Sequence, residues 1–151
     1  MSFFISSNAY SAVLKVFLSF YAIALLIWAY NIQPMHDYAL YFVHWDLILG
    51  GDDPWMKIPA ANAYGPIYNL FAWLYALDHQ LPKLLFLTAW LGVMFYSVVS
   101  FWNIEKVKVQ VKLIYTIFWV FNPFFVLSTV FYGLNDSFVA SLVFFISNIT
   151  T

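Results

Sequence analysis

The residues that decide the fold are 84–104, LLFLTAWLGVMFYSVVSFWNI, because this run contains no charged side chain and lies between Lys83 and Glu105. The hydrocarbon core of a bilayer is about 30 Å thick, and a helix needs about 20 consecutive apolar residues to cross it. The run has that length and is predominantly apolar. We therefore predict that it forms a transmembrane helix.

Similar charge-free runs lie on both sides of it. They extend from Val16 to Met35, from Leu113 to Asn135 and from Ser137 to Thr151. At about 1.5 Å per residue, the last run makes a helix of only about 22 Å, which is shorter than the hydrocarbon core. The sequence thus predicts an all-α fold, a polytopic transmembrane helix bundle of one domain that is truncated in its last span. The predicted spans are 14–31, 84–102, 113–132 and an incomplete 137–151, with an external helical loop at 32–83.

The composition excludes several classes of protein. Hydrophobic residues make up 64% of the chain and charged residues 9%, whereas soluble domains are about 45–50% apolar and about 25% charged. So few charges cannot coat a water-soluble globule, which excludes a soluble enzyme. The net charge of −1 provides no basic face for nucleic acid. The absence of cysteine excludes disulfides and thiol catalysis.

The distribution of charge predicts the orientation. One side of the predicted membrane receives four lysines and one glutamate, a net charge of +3; the other receives six aspartates and two lysines, a net charge of −4. The lysine-rich side is expected to be cytoplasmic. The N-terminus is therefore predicted to be cytoplasmic and the 32–83 loop external, in a multi-pass protein of the plasma membrane or the endoplasmic reticulum.

The run from Ile58 to Leu77 is also free of charge, but Pro59, Gly65 and Pro66 interrupt it. About a dozen residues after Pro66 are too few to cross a bilayer, so we predict a segment that lies in the membrane surface. Counting it as a span would also move the lysine-rich loop at 105–112 to the outside, against the charge rule.

The external loop contains the candidate chemistry. Asp37 is placed to start a helix whose apolar run ends at Gly50-Gly51. On a helical period Asp37, Tyr41 and His44 share a polar face that can line a cavity. Another face can lie on lipid and contains Tyr38, Phe42, Trp45 and Leu49. The alternative is an amphipathic surface helix that Asp37 merely caps.

Four motifs follow in order along the chain: Gly51-Asp52-Asp53-Pro54-Trp55, Tyr64-Gly65-Pro66-Ile67-Tyr68, Asn122-Pro123 and Tyr132-Gly133-Leu134-Asn135-Asp136. Together, over about residues 14–146, they resemble the GT-C-fold glycosyltransferases, polytopic enzymes that use polyprenyl-phosphate sugars. The chain departs from that family's pattern at Gly65, where proline is frequent, and at Leu134-Asn135, where glutamine is usual. Members of the family also have many more spans.

The resemblance implies the N-terminal portion of a mannosyltransferase-like enzyme. Such an enzyme moves a hexose or pentose, with inversion, from the lipid-linked donor to an extracytoplasmic glycan, lipid or protein acceptor. Asp37 then corresponds to the family's first external acid, the base that accepts the acceptor's proton, and Asp136 corresponds to its second acidic position. From the residues alone, Asp136 also suits the N-cap of a helix beginning at Ser137, and Asn122-Pro123 suits a kink.

Four further residues are candidate substrate contacts: Tyr41, His44, Asp53 and Lys57. The chain has no arginine, so Lys57 and His44 are candidates to contact the donor phosphate; the alternative for Lys57 is snorkelling to the interface. No cofactor is predicted. A metal held by His36, Asp37 and His44 is left out because no ligand spacing is diagnostic.

The expected partners are the lipid-linked donor, the acceptor, membrane lipid, and a missing C-terminal half or partner subunit. Three and a half helices enclose only one wall of a cavity for two substrates, so the chain alone is expected to be inactive. Two other classes stay open: a four-span flippase or transporter subunit, and a non-catalytic assembly subunit. Apart from aromatic residues, the only polar side chains inside the predicted spans are Ser, Thr and Asn, and every acid lies at an edge, so no ion relay is visible.

Overall fold

The computed structural model describes residues 7–33, 35, 37–57, 69–132 and 136–149. At residues 7–9, 37, 136–137 and 148–149 it describes the backbone alone. Within these ranges the chain is helical and contains no strand. The helices are α1 (Ser7–Asn31), α2 (Asp37–Leu49), α3 (Pro54–Lys57), α4 (Phe71–Leu77), α5 (Leu81–Trp102), α6 (Val109–Phe121), α7 (Pro123–Val126), a π-helix (Leu127–Phe131) and α8 (Asp136–Ile149).

Three helical stretches are long and apolar enough to cross a membrane. They are Tyr10–Asn31, Leu81–Trp102 and Val109–Phe131, of 22, 22 and 23 residues, or about 33–35 Å each. They coincide with the three complete spans predicted from the charge-free runs. The predicted incomplete span is α8, which has 14 residues and falls short of that length.

Helix α5 occupies the centre of the bundle. It packs against α1, α4, α6, α8 and the π-helix. The buried core residues follow helical spacing because each helix turns one stripe toward its neighbour. The stripe on α1 contains Leu18, Leu25 and Ala29, and that on α5 contains Leu87, Leu91, Met94 and Val98.

The opposite faces of the outer helices expose large apolar side chains. On α1 these include Phe20, Ile23 and Ile27, and on α6 they include Ile114 and Phe118. In the most apolar 18-residue parts of the first and third long stretches, only 17% and 22% of the residues are buried, against 39% in α5. Soluble monomers rarely expose contiguous apolar surfaces of this extent. The exposed faces are of the kind that lipid covers.

The predicted kink at Asn122-Pro123 is confirmed. Helix α6 ends at Phe121, the backbone of Asn122 is extended, and Pro123 starts α7. The Asn122 side chain accepts a hydrogen bond from the Phe124 backbone N–H at 3.0 Å, which replaces a helical bond that the proline interrupts. The third long stretch therefore bends at this point.

The π-helix closes the third long stretch against α1. The Tyr132 N–H donates to the Leu127 carbonyl at 3.1 Å, five residues earlier. The Phe131 ring makes an edge contact with Trp28, with centroids 5.0 Å apart. At the other end of this interface the Tyr21 hydroxyl donates to the Val120 carbonyl. These contacts fasten α1 to both halves of the bent stretch.

The predicted stop of α2 at Gly50-Gly51 is also confirmed. Gly51 has a φ of 81°, a left-handed conformation that glycine adopts without steric cost. The Gly51 N–H donates to the Ile48 carbonyl at 3.1 Å, and the Asp52 N–H donates to the Leu47 carbonyl at 2.9 Å. This pair of bonds is the Schellman arrangement that closes a helix C-terminus.

A buried lysine closes the turn between α5 and α6. Lys112, in the first turns of α6, donates from Nζ to the Trp102 carbonyl at the end of α5, at 2.6 Å. The Trp102 indole N–H donates to Thr116 Oγ1 at 2.7 Å. Trp102 is thereby held by α6 through both its main chain and its side chain.

Candidate functional site

The segment between the first two long helices folds as α2 packed against α4. An aromatic cluster joins them and consists of Tyr38, Tyr41, Trp45, Ala72, Tyr75 and Phe86, with Phe42, Ile48, Phe71 and Phe138 at its edge. The rings of Trp45 and Tyr75 lie 5.4 Å apart. This aromatic cluster draws residues from α2, α4, α5 and α8 together, and it is the centre of the candidate site.

The prediction that one face of α2 lies on lipid is wrong for Tyr38 and Trp45. Both side chains are fully buried, because α4 folds back over that face of α2. Tyr41, which was placed on the polar face, is buried as well. Helical periodicity assigned Tyr41 to a different face from Tyr38 and Trp45, whereas all three side chains lie in the aromatic cluster.

Tyr38 connects α2 to the start of α5. Its hydroxyl donates to the His79 carbonyl at 2.9 Å and accepts from the Lys83 N–H at 2.9 Å. Burial, which disfavours the phenolate, raises the pKa of Tyr38 well above its usual value. The hydroxyl therefore stays protonated and acts as a fixed link between the two helices.

Lys83 is fully buried at the start of α5. Its Nζ donates to the Ile32 carbonyl, just beyond the end of α1, at 3.0 Å, and lies 5.7 Å from the centroid of the Tyr38 ring. The sequence identified this lysine as a charge that begins the second span. The structure shows in addition that its amine provides a hydrogen-bond partner for the Ile32 carbonyl just after α1.

His44, a predicted phosphate contact, is buried in α2. Burial lowers the pKa of His44, and a side-chain hydrogen bond with Asn69 partly opposes that effect. The imidazole is accordingly neutral at pH 7 and can take part in hydrogen bonds without carrying a charge. Asn69 was not singled out from the sequence, since nothing local in it signals a contact with α2.

Asp46 and Tyr75 form a second polar contact between α2 and α4. Burial raises the pKa of Tyr75 to about 12, together with a side-chain hydrogen bond to Asp46 and the negative charge of that carboxylate. The His79 ring stacks on Tyr75 with centroids 4.4 Å apart and an angle of 12° between the planes. This group was missed from the sequence, because Asp46 and Tyr75 are 29 positions apart and only the fold brings them together.

Asp53 and Lys57 lie around α3. The Asp53 carboxylate accepts from the Trp55 N–H at 2.9 Å and so caps this four-residue helix. Lys57 pairs with Asp52 at 2.5 Å, with both side chains about half exposed; pairs of this kind contribute about 0–1 kcal/mol. The Gly-x-Asp-Pro-aromatic motif thus forms a capped corner, and Lys57 is directed to a carboxylate of that corner.

Asp37 and Asp136, the two predicted catalytic acids, are the first residues of α2 and α8. Negative charge is favourable at a helix N-terminus. Asp37 precedes Tyr38, a member of the aromatic cluster. Asp136 lies two residues before Phe138, whose ring centroid is 5.4 Å from that of Phe86 in the same cluster. The structure therefore brings the starts of both helices to one aromatic cluster, while the two carboxylates and His36 lie outside what it describes.

Among the described side chains, no group of three or more His, Asp or Glu residues is arranged to hold a metal ion. Comparison with family models, with curated proteins and with solved structures finds no match to this chain.

Proposed function

We propose that this chain belongs to an integral membrane glycosyltransferase that uses a polyprenyl-phosphate sugar. In this proposal the three long helices cross the bilayer, the N-terminus is cytoplasmic, and α2, α3 and α4 lie on the external side. The length and apolar faces of these helices support the membrane placement. The charge difference between the two sides supports the orientation.

One observation carries the catalytic part of the proposal. Two acids far apart in sequence, Asp37 and Asp136, begin helices whose first turns contribute Tyr38 and Phe138 to the aromatic cluster around Phe86. The resemblance assigns an acidic position to the start of each of these helices, and their shared aromatic cluster supports one site that includes both. The order of the motifs along the chain resembles that of GT-C-fold enzymes, and this resemblance supports glycosyl transfer as the reaction.

The proposed reaction is one in-line displacement. The acceptor oxygen forms a bond to the anomeric carbon as the bond from that carbon to the phosphate oxygen breaks, and the electron pair leaves with the polyprenyl phosphate. Asp37 accepts the proton of the acceptor hydroxyl. The leaving phosphate is a stable anion, so hydrogen-bond donors around it suffice and no proton needs to be supplied. The configuration at the anomeric carbon is inverted.

The burial of His44 and the ion pair between Lys57 and Asp52 limit how these two residues can contact the phosphate of the lipid-linked sugar. A neutral His44 contributes to phosphate binding only as a hydrogen-bond donor. Lys57 reaches a phosphate only by giving up its contact with Asp52, which costs little because the pair is exposed. Tyr41 and Asp53 shape the proposed substrate site. Tyr41 does so inside the aromatic cluster, and Asp53 does so through the cap of α3.

The test is transfer from a polyprenyl-phosphate sugar in membranes that contain the full protein to which this chain belongs. We expect Asp37→Asn to lower the rate at least about 100-fold, the usual contribution of a general base, with normal protein abundance. Asp46→Asn is the matched control, because asparagine keeps an acceptor for Tyr75. Equal and mild losses from both substitutions would assign Asp37 to helix capping and remove it from the reaction.

A further inference from the structure

The outer face of α4 carries an apolar stripe. Leu70, Trp73 and Leu77, at spacings of three and four residues, are 66%, 71% and 79% exposed. The other face of α4 holds Ala72 and Tyr75, which are buried against α2. The stripe is thus the side of α4 that points away from the aromatic cluster.

The position of α4 places this stripe beside the long helices. Only residues 78–80 separate α4 from α5. The Asp78 carboxylate accepts from the Tyr30 hydroxyl at 3.0 Å, next to the end of α1, and the Leu81 N–H donates to the Asp78 carbonyl at 3.0 Å. The C-terminal end of α4 is therefore held next to Tyr30, which is 48% exposed near the end of α1.

We infer that the Leu70–Trp73–Leu77 stripe is a lipid-contact surface that inserts into the interfacial region of the external leaflet. The inference rests on the membrane placement given under Proposed function. Lipid is the occupant because the stripe carries no charge and is joined, through the Asp78–Tyr30 hydrogen bond, to the exposed end of α1. A tryptophan at its centre suits the interface, where an apolar ring with one N–H group is preferred.

The contact of the stripe with lipid also determines how deep α2 lies in the leaflet. Tyr75 and Ala72 attach α4 to α2, so the depth of the stripe in the leaflet sets the depth of α2. The start of α2, with Asp37, is then held at the level of lipid headgroups. A donor that is itself a phosphorylated lipid presents its sugar at that level.

Spin labelling tests the inference, and the chain is suited to it because it contains no cysteine. Single-cysteine proteins Leu70→Cys and Leu77→Cys would carry a nitroxide and be reconstituted in phosphatidylcholine vesicles. Collision rates would be measured with oxygen, which concentrates in lipid, and with a water-soluble nickel chelate. We expect an oxygen-to-nickel ratio above unity at both stripe positions.

Two reference positions calibrate the measurement. Ile23→Cys lies on the exposed face of α1 and should give a high oxygen-to-nickel ratio, whereas Glu105→Cys lies in the exposed α5–α6 turn and should give a low one. Circular dichroism of every labelled protein should match the parent spectrum.

Three results would overturn the inference. A nickel-dominated signal at Leu70 and Leu77, with Ile23 in lipid, would mean that the stripe faces water. Low collision rates with both reagents would mean that protein covers it. A nickel-dominated signal at Ile23 would contradict the membrane placement itself, and the inference with it.

Discussion

Two buried lysines have the same role at opposite ends of α5. Lys83 Nζ binds the Ile32 carbonyl just after α1, and Lys112 Nζ binds the Trp102 carbonyl at the end of α5. The last carbonyls of a helix have no partner within that helix and carry partial negative charge. An amine satisfies both conditions, so each lysine joins the start of one long helix to the end of the long helix before it.

We expect Lys83→Met and Lys112→Met each to lower the free energy of unfolding in detergent by about 1 kcal/mol, because methionine keeps an apolar chain but leaves a carbonyl unsatisfied. The two sites lie at opposite ends of a 22-residue helix, so the effects should add within about 0.5 kcal/mol. Lys106→Met, in the exposed turn, is the control. If its unfolding midpoint falls as much as those of the other two, the hydrogen bonds are not the cause.

These lysines show what could be read from the sequence at this scale. Each was recognisable as a charge at the edge of a predicted span, since that depends only on neighbouring residues. The acceptors were not recognisable, because Lys83 and Ile32 are 51 positions apart and meet only when α1 and α5 pack. Asp46 and Tyr75 were missed for the same reason.

At the scale of single elements, helix ends followed the sequence most closely. Gly51 ends α2 and Pro123 starts α7, since both residues constrain their own backbone. The face that α2 turns to its neighbours did not follow, because Tyr38 and Trp45 are covered by α4, a helix whose position depends on contacts distant in sequence. The predicted membrane-surface segment is described only in part, as α4 and the turn before it, since residues 58–68 lie outside the described ranges.

Two glycine substitutions should have opposite effects on stability. Gly51→Ala should destabilise by about 1–2 kcal/mol, because a residue with a Cβ is strained at a φ of 81° even though nothing lies within 4 Å of the new methyl group. Gly92→Ala should stabilise by about 0.5–1 kcal/mol, because alanine favours a helix interior and its Cβ would lie 3.7 Å from the Phe145 ring, an ordinary contact. Thermal unfolding followed by circular dichroism checks both signs; a loss of stability at Gly92 would show that α5 and α8 pack more tightly than this contact indicates.

At the scale of the whole molecule, the long helices were predictable because apolar length and charge placement are properties of stretches of about 20 residues. The arrangement around α5 was not, since nearly every residue of these helices is apolar and the pattern alone does not rank the faces. The site was predictable in the same partial way. The starts of α2 and α8 were identified, but the aromatic cluster that brings them together was not.

The orientation can be measured with single cysteines. Met56→Cys in α3 and Gln110→Cys in α6 are both at exposed positions and should react with a membrane-impermeant maleimide from opposite sides of sealed vesicles. Met56 should be labelled from the external side and Gln110 only after the vesicles are opened. Labelling of both from one side would contradict the orientation derived from the lysines.

The two lysine contacts also bear on how the protein is made. Synthesis proceeds from the N-terminus, so α1 is complete before Lys83 exists, and α5 is complete before Lys112 exists. In each case the amine that bonds to the carbonyl at the end of a finished long helix is carried by the next long helix to emerge from the ribosome. The contact that holds each of these two helix ends can therefore form only after the next long helix has been synthesised.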